Sequence, residues 1–551
     1  MENKKTPFWW VTDETKDMLE RGYLLPNQTI EEKVRVKAKY ASELLNRPDL
    51  ESKFYNMIAM GWTSLSSPIW ANFGENRGLP IACYSSYVPD SIDGIFLANH
   101  EIARMTSLGG GTSGYFPLRP KGASIKGGGK TSGAVSFVEI FDTTIKNVSQ
   151  SGVRRGGFAA YMDIDHPEII DFMRIKDKDS SMQSINTAVN VTDDFMNRMI
   201  NGDEKAREVW AEVLRNRREK GIPYISFIDN VNNQAPQPYK DKGLRINQSN
   251  LCNEIWLHTS EEESLVCCLS SLNLATYNDW KDTDTVELLT YFLDAVITDF
   301  VNKTEGMSGM ERARKFALKS RAIGIGVLGW SSYLQQEMIA FESPMATALT
   351  HKIFKQIKDQ SYTASEKLAK EYGEPELMVG YGRRNVTTMA VAPTTSSSSI
   401  LGQVSPGIEP FKSNYYVVGL AKGSFPRINK ELEKLLIKKG KNTSDVWNSI
   451  KTNKGSVQQL DFLTEEEKNV FKTFEEISPL SIIQQNNVRQ KYIDQGVSLN
   501  MMIPHSVAIK DINAWYIEAW KGGTKGLYYQ RGTSVSKEAL TKMLNCNSCE
   551  G

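Results

Sequence analysis

Cysteine is scarce in this chain, charge imbalance is absent, and no apolar run is long enough to serve outside a folded core. Six cysteines in 551 residues, Cys83, Cys252, Cys267, Cys268, Cys546 and Cys549, cannot form a disulfide scaffold. In a reducing compartment such thiols are buried, metal-binding or catalytic, and burial as a small hydrophobe is the commonest fate. Lys and Arg number 66 against 65 for Asp and Glu, a net charge of +1, so composition asks for neither a nucleic acid nor a membrane surface as partner. No stretch approaches the roughly 18 apolar residues of a membrane span. The N-terminal Met1-Glu2-Asn3-Lys4-Lys5-Thr6-Pro7 has no secretory apolar run behind it, so a cytoplasmic location is expected.

Residues 12 to 60 read as helical, opened by Thr12-Asp13-Glu14 and again by Thr29-Ile30-Glu31-Glu32. From Ser66-Ser67-Pro68 onward, short apolar runs alternate with glycine-rich turns and helical stretches, the pattern of an α/β fold. Ile81-Ala82-Cys83-Tyr84 is expected as a buried strand, and Asp90 to Thr106 as a capped helix. The loop Lys126-Gly127-Gly128-Gly129-Lys130-Thr131 resembles a phosphate-cradling P-loop, but Ser124 stands where the Walker spacing needs glycine. In a further loop, Arg154 and Arg155 lie between glycines, which suits either a mobile anion-binding loop or a solvated turn. The hydroxyl run Thr394-Thr395-Ser396-Ser397 behind Pro393 makes a phosphate site if a helix starts there, and otherwise a polar turn.

The stretch with the most chemistry is Gln248-Ser249-Asn250-Leu251-Cys252-Asn253-Glu254-Ile255. If extended, it sends Asn250, Cys252 and Glu254 to one side and Leu251 to the other. An amide, a sulfur and a candidate base on one face suit a reaction centre, while the plain alternative is a strand with one buried cysteine. Leu265 to Leu274 is expected as a strand leading to a helix, and adjacent cysteines on a strand point to opposite faces, so at most one of Cys267 and Cys268 can face a site. A strand is also expected over 497–503, followed by a last helix carrying Trp515 and Trp520. The terminal Cys546-x-x-Cys549 reads as a redox dithiol in preference to half of a zinc site, because no second Cys-x-x-Cys exists.

In this order, Ser67-Pro68, Cys83, Asp90-Ser91-Ile92, the Asn-x-Cys-x-Glu segment, the Cys267 strand, the Pro-Thr-Thr-Ser loop, the Tyr528-Tyr529 pair and the terminal Cys-x-x-Cys resemble the large (alpha) subunit of class I ribonucleotide reductases, from about Glu20 to the end of the chain. The resemblance implies a ten-stranded α/β barrel with a central finger loop. It implies a helical N-terminal region over 1–65, a catalytic barrel with helical insertions over 66–530 and a flexible redox tail over 531–551. On this likeness Cys252 becomes a thiyl radical that abstracts the 3′-hydrogen of a ribonucleotide, Glu254 takes the 3′-hydroxyl proton and Asn250 holds the ribose hydroxyls. Cys83 and Cys267, the latter selected by Cys-x-Leu-Ser-x-x-Asn-Leu, reduce the sugar and end as a disulfide, which Cys546 and Cys549 then reduce. Seventeen residues separate Tyr529 from Cys546, a reach of up to about 56 Å at roughly 3.3 Å per residue.

By the same likeness, Tyr528 and Tyr529 carry the radical in, and Ser67, Ala82, Gly111, Thr394, Thr395, Ser396 and Ser397 line the nucleotide. Asp90, Ser91, Ile92, Arg119, Ile125, Lys126 and Arg154 serve a dNTP or ATP effector. Expected partners are a small (beta) subunit whose metal cofactor supplies the radical, thioredoxin or glutaredoxin, nucleoside diphosphates and a second copy of the chain; this chain itself needs no metal. The expected short form lacks an N-terminal ATP-cone and its dATP shut-off. A cobalamin-dependent reductase and a catalytically silent nucleotide-binding relative stand as alternatives.

Overall fold

In the computed structural model, residues 5–148, 156–177, 179–420 and 423–532 are described, with side chains for all but 417–426. Three helices come first, Asp13–Gly22, Ile30–Leu44 and Glu51–Ala59. Thr12 caps the first, and a reciprocal Thr29–Glu32 capping box opens the second, as the sequence signals indicate. Their apolar faces join the main core: Phe54 meets Phe292 edge-on at 5.5 Å, and Tyr40 meets Phe73 at 5.1 Å.

The strands are β1 (Thr63–Leu65), β2 (Cys83–Tyr87), β3 (Gly111–Tyr115), β4 (Gly157–Asp163), β5 (Ile185–Val191), β6 (Tyr224–Phe227), β7 (Leu265–Asn273), β8 (Ile323–Leu328), β9 (Tyr415–Leu420), β10 (Gly423–Ile428), β11 (Met501–Met502), β12 (Gly526–Leu527) and β13 (Gln530–Arg531). The expected strand at Ile81–Tyr84 begins two residues later, at Cys83, where pairing to β3 and β7 starts. Strands β2 to β6 run parallel in sequence order. A second parallel series starts with β7 and β8 and continues through bridges at Met389 and from Val391 to Val497 to the β11–β13 pair. The two series meet antiparallel at β2–β7 and again at β6–β12. Backbone bonds such as Tyr528 N to Leu499 O (2.9 Å) complete the circuit. The result is a ten-stranded α/β barrel among the described residues. The region expected as a strand over 497–503 is one wall of it, although only Met501–Met502 forms a regular strand.

The β7 strand is buried along its whole length and the helix Thr285–Lys303 along most of its own, as expected for a parallel barrel covered by helices. A smaller lobe with its own apolar cluster, including Leu432, Leu436, Trp447 and Phe471, accounts for the Lys/Glu-rich helices after residue 428. Among the described residues no helix is long and apolar enough to cross a membrane.

Candidate active site

The segment around Cys252 is a turn and not an extended strand. Inside a barrel it has no neighbouring strand to pair with, so its backbone polar groups are satisfied by side chains instead. The turn is closed by a single antiparallel bridge, Ser249 to Trp256, and Asn253 takes the left-handed conformation at φ 63°. Asn250 Oδ1 accepts from the backbone N–H groups of Glu254 and Ile255, both at 3.1 Å. Its Nδ2 donates to Glu254 Oε1 at 3.0 Å. Amide and carboxylate therefore do converge, through an i,i+4 turn. Leu251, expected to face away from Cys252, lies in the same apolar cluster as the thiol.

Three barrel walls strap the loop down. Ser113 of β3 donates to Ser249 O at 2.7 Å, and Tyr161 of β4 donates to Asn250 O at 2.9 Å. From the 497–503 segment, Ser498 donates to the Cys252 carbonyl and reaches Glu254 Oε2 at 3.0 Å. Glu254 is buried; burial pushes its carboxyl up to about 7, against the lowering effect of the Asn250 and Ser498 hydrogen bonds. A carboxyl poised near neutrality is matched to general-base work.

Register decides which vicinal cysteine joins the site. Cys83 on β2 and Cys267 on β7 are direct antiparallel partners, whereas Cys268 is in register with Ile323 of β8. Burial pushes both Cys267 and Cys268 up; the charges acting on Cys267 include Glu254, and those acting on Cys268 include Asp294 of the outer helix Thr285–Lys303. Both carry thiols, as do Cys83 and Cys252. Gln495 Nε2 donates to Cys267 Sγ at 3.4 Å.

On the other side, Cys252 shares a cluster with Tyr528, Tyr529 and Tyr224. The Tyr528 and Tyr529 rings lie 4.4 Å apart, and Tyr224 sits 4.7 and 5.0 Å from them. Asn186 Nδ2 donates to the hydroxyls of both Tyr224 and Tyr529, each at 3.0 Å. Sequence reasoning missed Tyr224, Asn186, Gln495 and Ser498. Each lies in an unremarkable polar or apolar stretch, and only barrel closure brings them to the cysteines.

The residues expected to line a nucleotide gather at one end of these strands. Gly111 is the register partner of Cys83 and donates its N–H to Ala82 O at 2.7 Å, while Ser67 accompanies β1 at the start of the helix Ser67–Asn72. A helix does start at Thr395, running to Ile400, behind Thr394 at φ 56°. Ser64 of β1 reaches the Ser397 carbonyl at 3.4 Å, which ties this turn to the barrel. The residues expected to serve an effector form a separate surface group: Arg119 pairs with Asp90 at 2.8 Å, Ser91 caps the helix Ile92–Ser107, and Ile92 and Ile125 are exposed. The glycine loop near Lys126 is no P-loop, since the Glu168 carboxylate already accepts from Ala134 N (2.8 Å) at the start of the next helix and from Lys121 N (3.0 Å). Arg154, Arg155, Cys546 and Cys549 lie outside the described residues.

A barrel whose central loop presents a thiol and a carboxyl poised near neutrality, with a cross-strand thiol pair on one side and closely packed, tilted tyrosines on the other, defines an enzyme of thiol redox chemistry. The sequence profile for "Ribonucleotide reductase, barrel domain" matches residues 81–205, 201–379 and 375–530. A protein of Frog virus 3 (isolate Goorha) bearing a ribonucleoside-diphosphate reductase large-subunit name is 37% identical over 534 residues, 92% of this chain and 93% of that protein. The vitamin B12-dependent ribonucleoside-diphosphate reductase of Thermoplasma acidophilum is 32% identical over 511 residues, 86% of this chain and 64% of its own length. The solved class Id ribonucleotide reductase alpha subunit of Actinobacillus ureae superposes with a TM-score of 0.92 at 46% identity, over 98% of this chain and 100% of that one. The chain belongs to the ribonucleotide reductase family, among its large (alpha) subunits.

Proposed function

We propose that the chain reduces ribonucleoside diphosphates to 2′-deoxyribonucleotides, with Cys252 as the radical thiol. The observation that carries this reading is the placement of Cys252 and Glu254 on one turn, between the packed Tyr528–Tyr529 rings and the Cys83–Cys267 pair. Sulfur suits the first step because S–H and activated ribose C–H bonds are close in strength, so abstraction of the 3′-hydrogen is reversible. Glu254 accepts the 3′-hydroxyl proton, and Asn250, held by the same turn, positions the ribose hydroxyls. Cys83 and Cys267 protonate the departing 2′-hydroxyl and supply two electrons, becoming a disulfide. The Thr394–Ser397 turn, with Ser67, Ala82 and Gly111, takes the nucleotide, and Cys546 and Cys549 return the disulfide to thiols using thioredoxin or glutaredoxin.

The close tyrosine pair favours a radical delivered from outside the barrel, hence a small subunit whose metal cofactor supplies the oxidising equivalent; no metal is assigned to this chain. A cobalamin-dependent reductase generates its radical locally and has no need of such a relay. Ile92, Phe96 and Leu97, 61, 51 and 54% exposed on one helix beside Arg119, support a homodimer with the dNTP or ATP effector at its seam. The test is reduction of radiolabelled CDP by the chain with and without a small subunit, beside Cys252→Ser. Activity that requires the small subunit and vanishes in the variant is expected. Activity restored by adenosylcobalamin alone would instead support the cobalamin class.

A further inference from the structure

Two thiols on adjacent strands are equivalent on paper, but here their surroundings differ. Cys83 is half-buried, whereas Cys267 is 1% exposed. Cys267 has a polar neighbour in Gln495. Gln495 Nε2 donates to Ile323 O and to Thr387 Oγ1, both at 2.9 Å, and reaches Cys267 Sγ at 3.4 Å. Ile323 O can only accept, so the amide cannot be turned round: the nitrogen, not the oxygen, must face the sulfur. The Thr387 hydroxyl spends its own hydrogen on Ile323 O at 3.2 Å, and Cys267 Sγ aims its hydrogen at Cys268 O at 3.9 Å. One Gln495 hydrogen is therefore shared between an oxygen and a sulfur lone pair. The residue carrying it is pinned, since the buried Lys525 donates to the Asp494 and Gln495 carbonyls at 2.6 and 2.7 Å.

Resting on the assignment of Cys83 and Cys267 as the reducing pair, we infer that the disulfide they form is reopened by attack on Cys83, that Cys267 is the leaving sulfur, and that Gln495 is the positioning residue that stabilises it. The thiolate of a dithiol reductant bonds to Cys83 Sγ along the S–S axis. The Cys83–Cys267 bond breaks, and its electron pair stays on Cys267 Sγ, towards which the shared Gln495 hydrogen shifts. The second thiolate of the reductant then attacks its partner sulfur in the mixed disulfide and releases Cys83. Two electrons and two protons pass from the dithiol to the two cysteines, and the reductant becomes a disulfide. Burial makes Cys267 the poorer leaving group by itself. Access outweighs this, because a leaving-group effect scales the rate while a sealed sulfur cannot be attacked at all. The Gln495 donor offsets the penalty.

The test uses the full-length chain with Cys546→Ser and Cys549→Ser, so that the tail cannot resolve an intermediate. It is turned over once with substrate and small subunit, treated with 2-mercaptoethanol, quenched in acid and alkylated. Peptide mass spectrometry then locates the adduct. The expected result is mercaptoethanol on Cys83 and alkyl on Cys267; the reverse pattern overturns the inference while leaving the reductase reading intact. If turnover yields no 83–267 disulfide, the reductase reading itself fails and takes the inference with it. In parallel, Gln495→Leu is expected to slow dithiothreitol reduction of the preformed disulfide about tenfold, as for a lost hydrogen bond to a charged group, with Gln495→Asn recovering part of the rate. An unchanged rate in Gln495→Leu would remove Gln495 from the step.

Discussion

Burial raises the Glu254 carboxyl at the cost of stability, and the sign of that cost is measurable. Its folded carboxyl titrates near 7, against an unfolded value near 4.5. Between those values the folded chain carries a proton that the unfolded chain has lost, so stability falls as pH rises from about 4.5 to 7 and then levels. Glu254→Gln keeps the contacts to Asn250 and Ser498 and removes the titration. It is expected to abolish turnover and to unfold at higher denaturant concentration than the parent above pH 7, by an amount on the order of 3 kcal/mol, with the advantage vanishing towards pH 4.5. In the parent enzyme, kcat/KM is expected to rise with pH and level off above about 7. Asn186 makes a second residue-scale prediction: Asn186→Leu removes the donor shared by Tyr224 and Tyr529, so kcat should fall at least tenfold with KM for the nucleotide unchanged, since its side-chain amide donates to those two hydroxyls.

The finger loop is the element whose form the alternation of Asn250, Cys252 and Glu254 did not reveal. Alternation suggests a strand, but a strand needs a partner, and a segment threaded through a barrel has none. The turn survives because Asn250 serves as its internal template and because Ser113, Tyr161 and Ser498 hold it from three sides. Ser498→Ala is expected to cost about 1–3 kcal/mol in denaturant unfolding, the range for stranding buried polar partners, and to lower kcat more than KM because Glu254 and Cys252 lose their common anchor. The helical signals fared better. Thr12, Thr29 and Ser91 cap helices close to where the sequence places them, since a cap depends on residues within one turn.

Across the whole molecule, the barrel joins reaction chemistry on its axis to a surface group at one edge. The helix Ile92–Ser107 begins at the Asp90–Arg119 pair and buries Glu101, which accepts from Ser86 of β2 and from Ser264, both at 2.7 Å. That contact would give an effector at the proposed site near Arg119 a rigid connection to the strand carrying Cys83. On the proposed homodimer, Phe96→Asp is expected to give monomers in sedimentation velocity and to abolish the response to dNTPs. The measurement to compare is effector-stimulated against basal CDP reduction, and a fully stimulated monomer would contradict it.

Sequence by itself determined which residue types could do chemistry here and in what order they follow one another. The proposed radical thiol, base, thiol pair and terminal dithiol are constrained by reactivity, and reactivity belongs to individual side chains. Tertiary structure decided the partnerships: Cys83 with Cys267 through strand register, Tyr528 and Tyr529 with Tyr224 and Asn186, and Cys267 with Gln495 from 228 residues away. Those contacts arise only when two five-stranded series close on each other, and no local pattern records which strand will become whose neighbour.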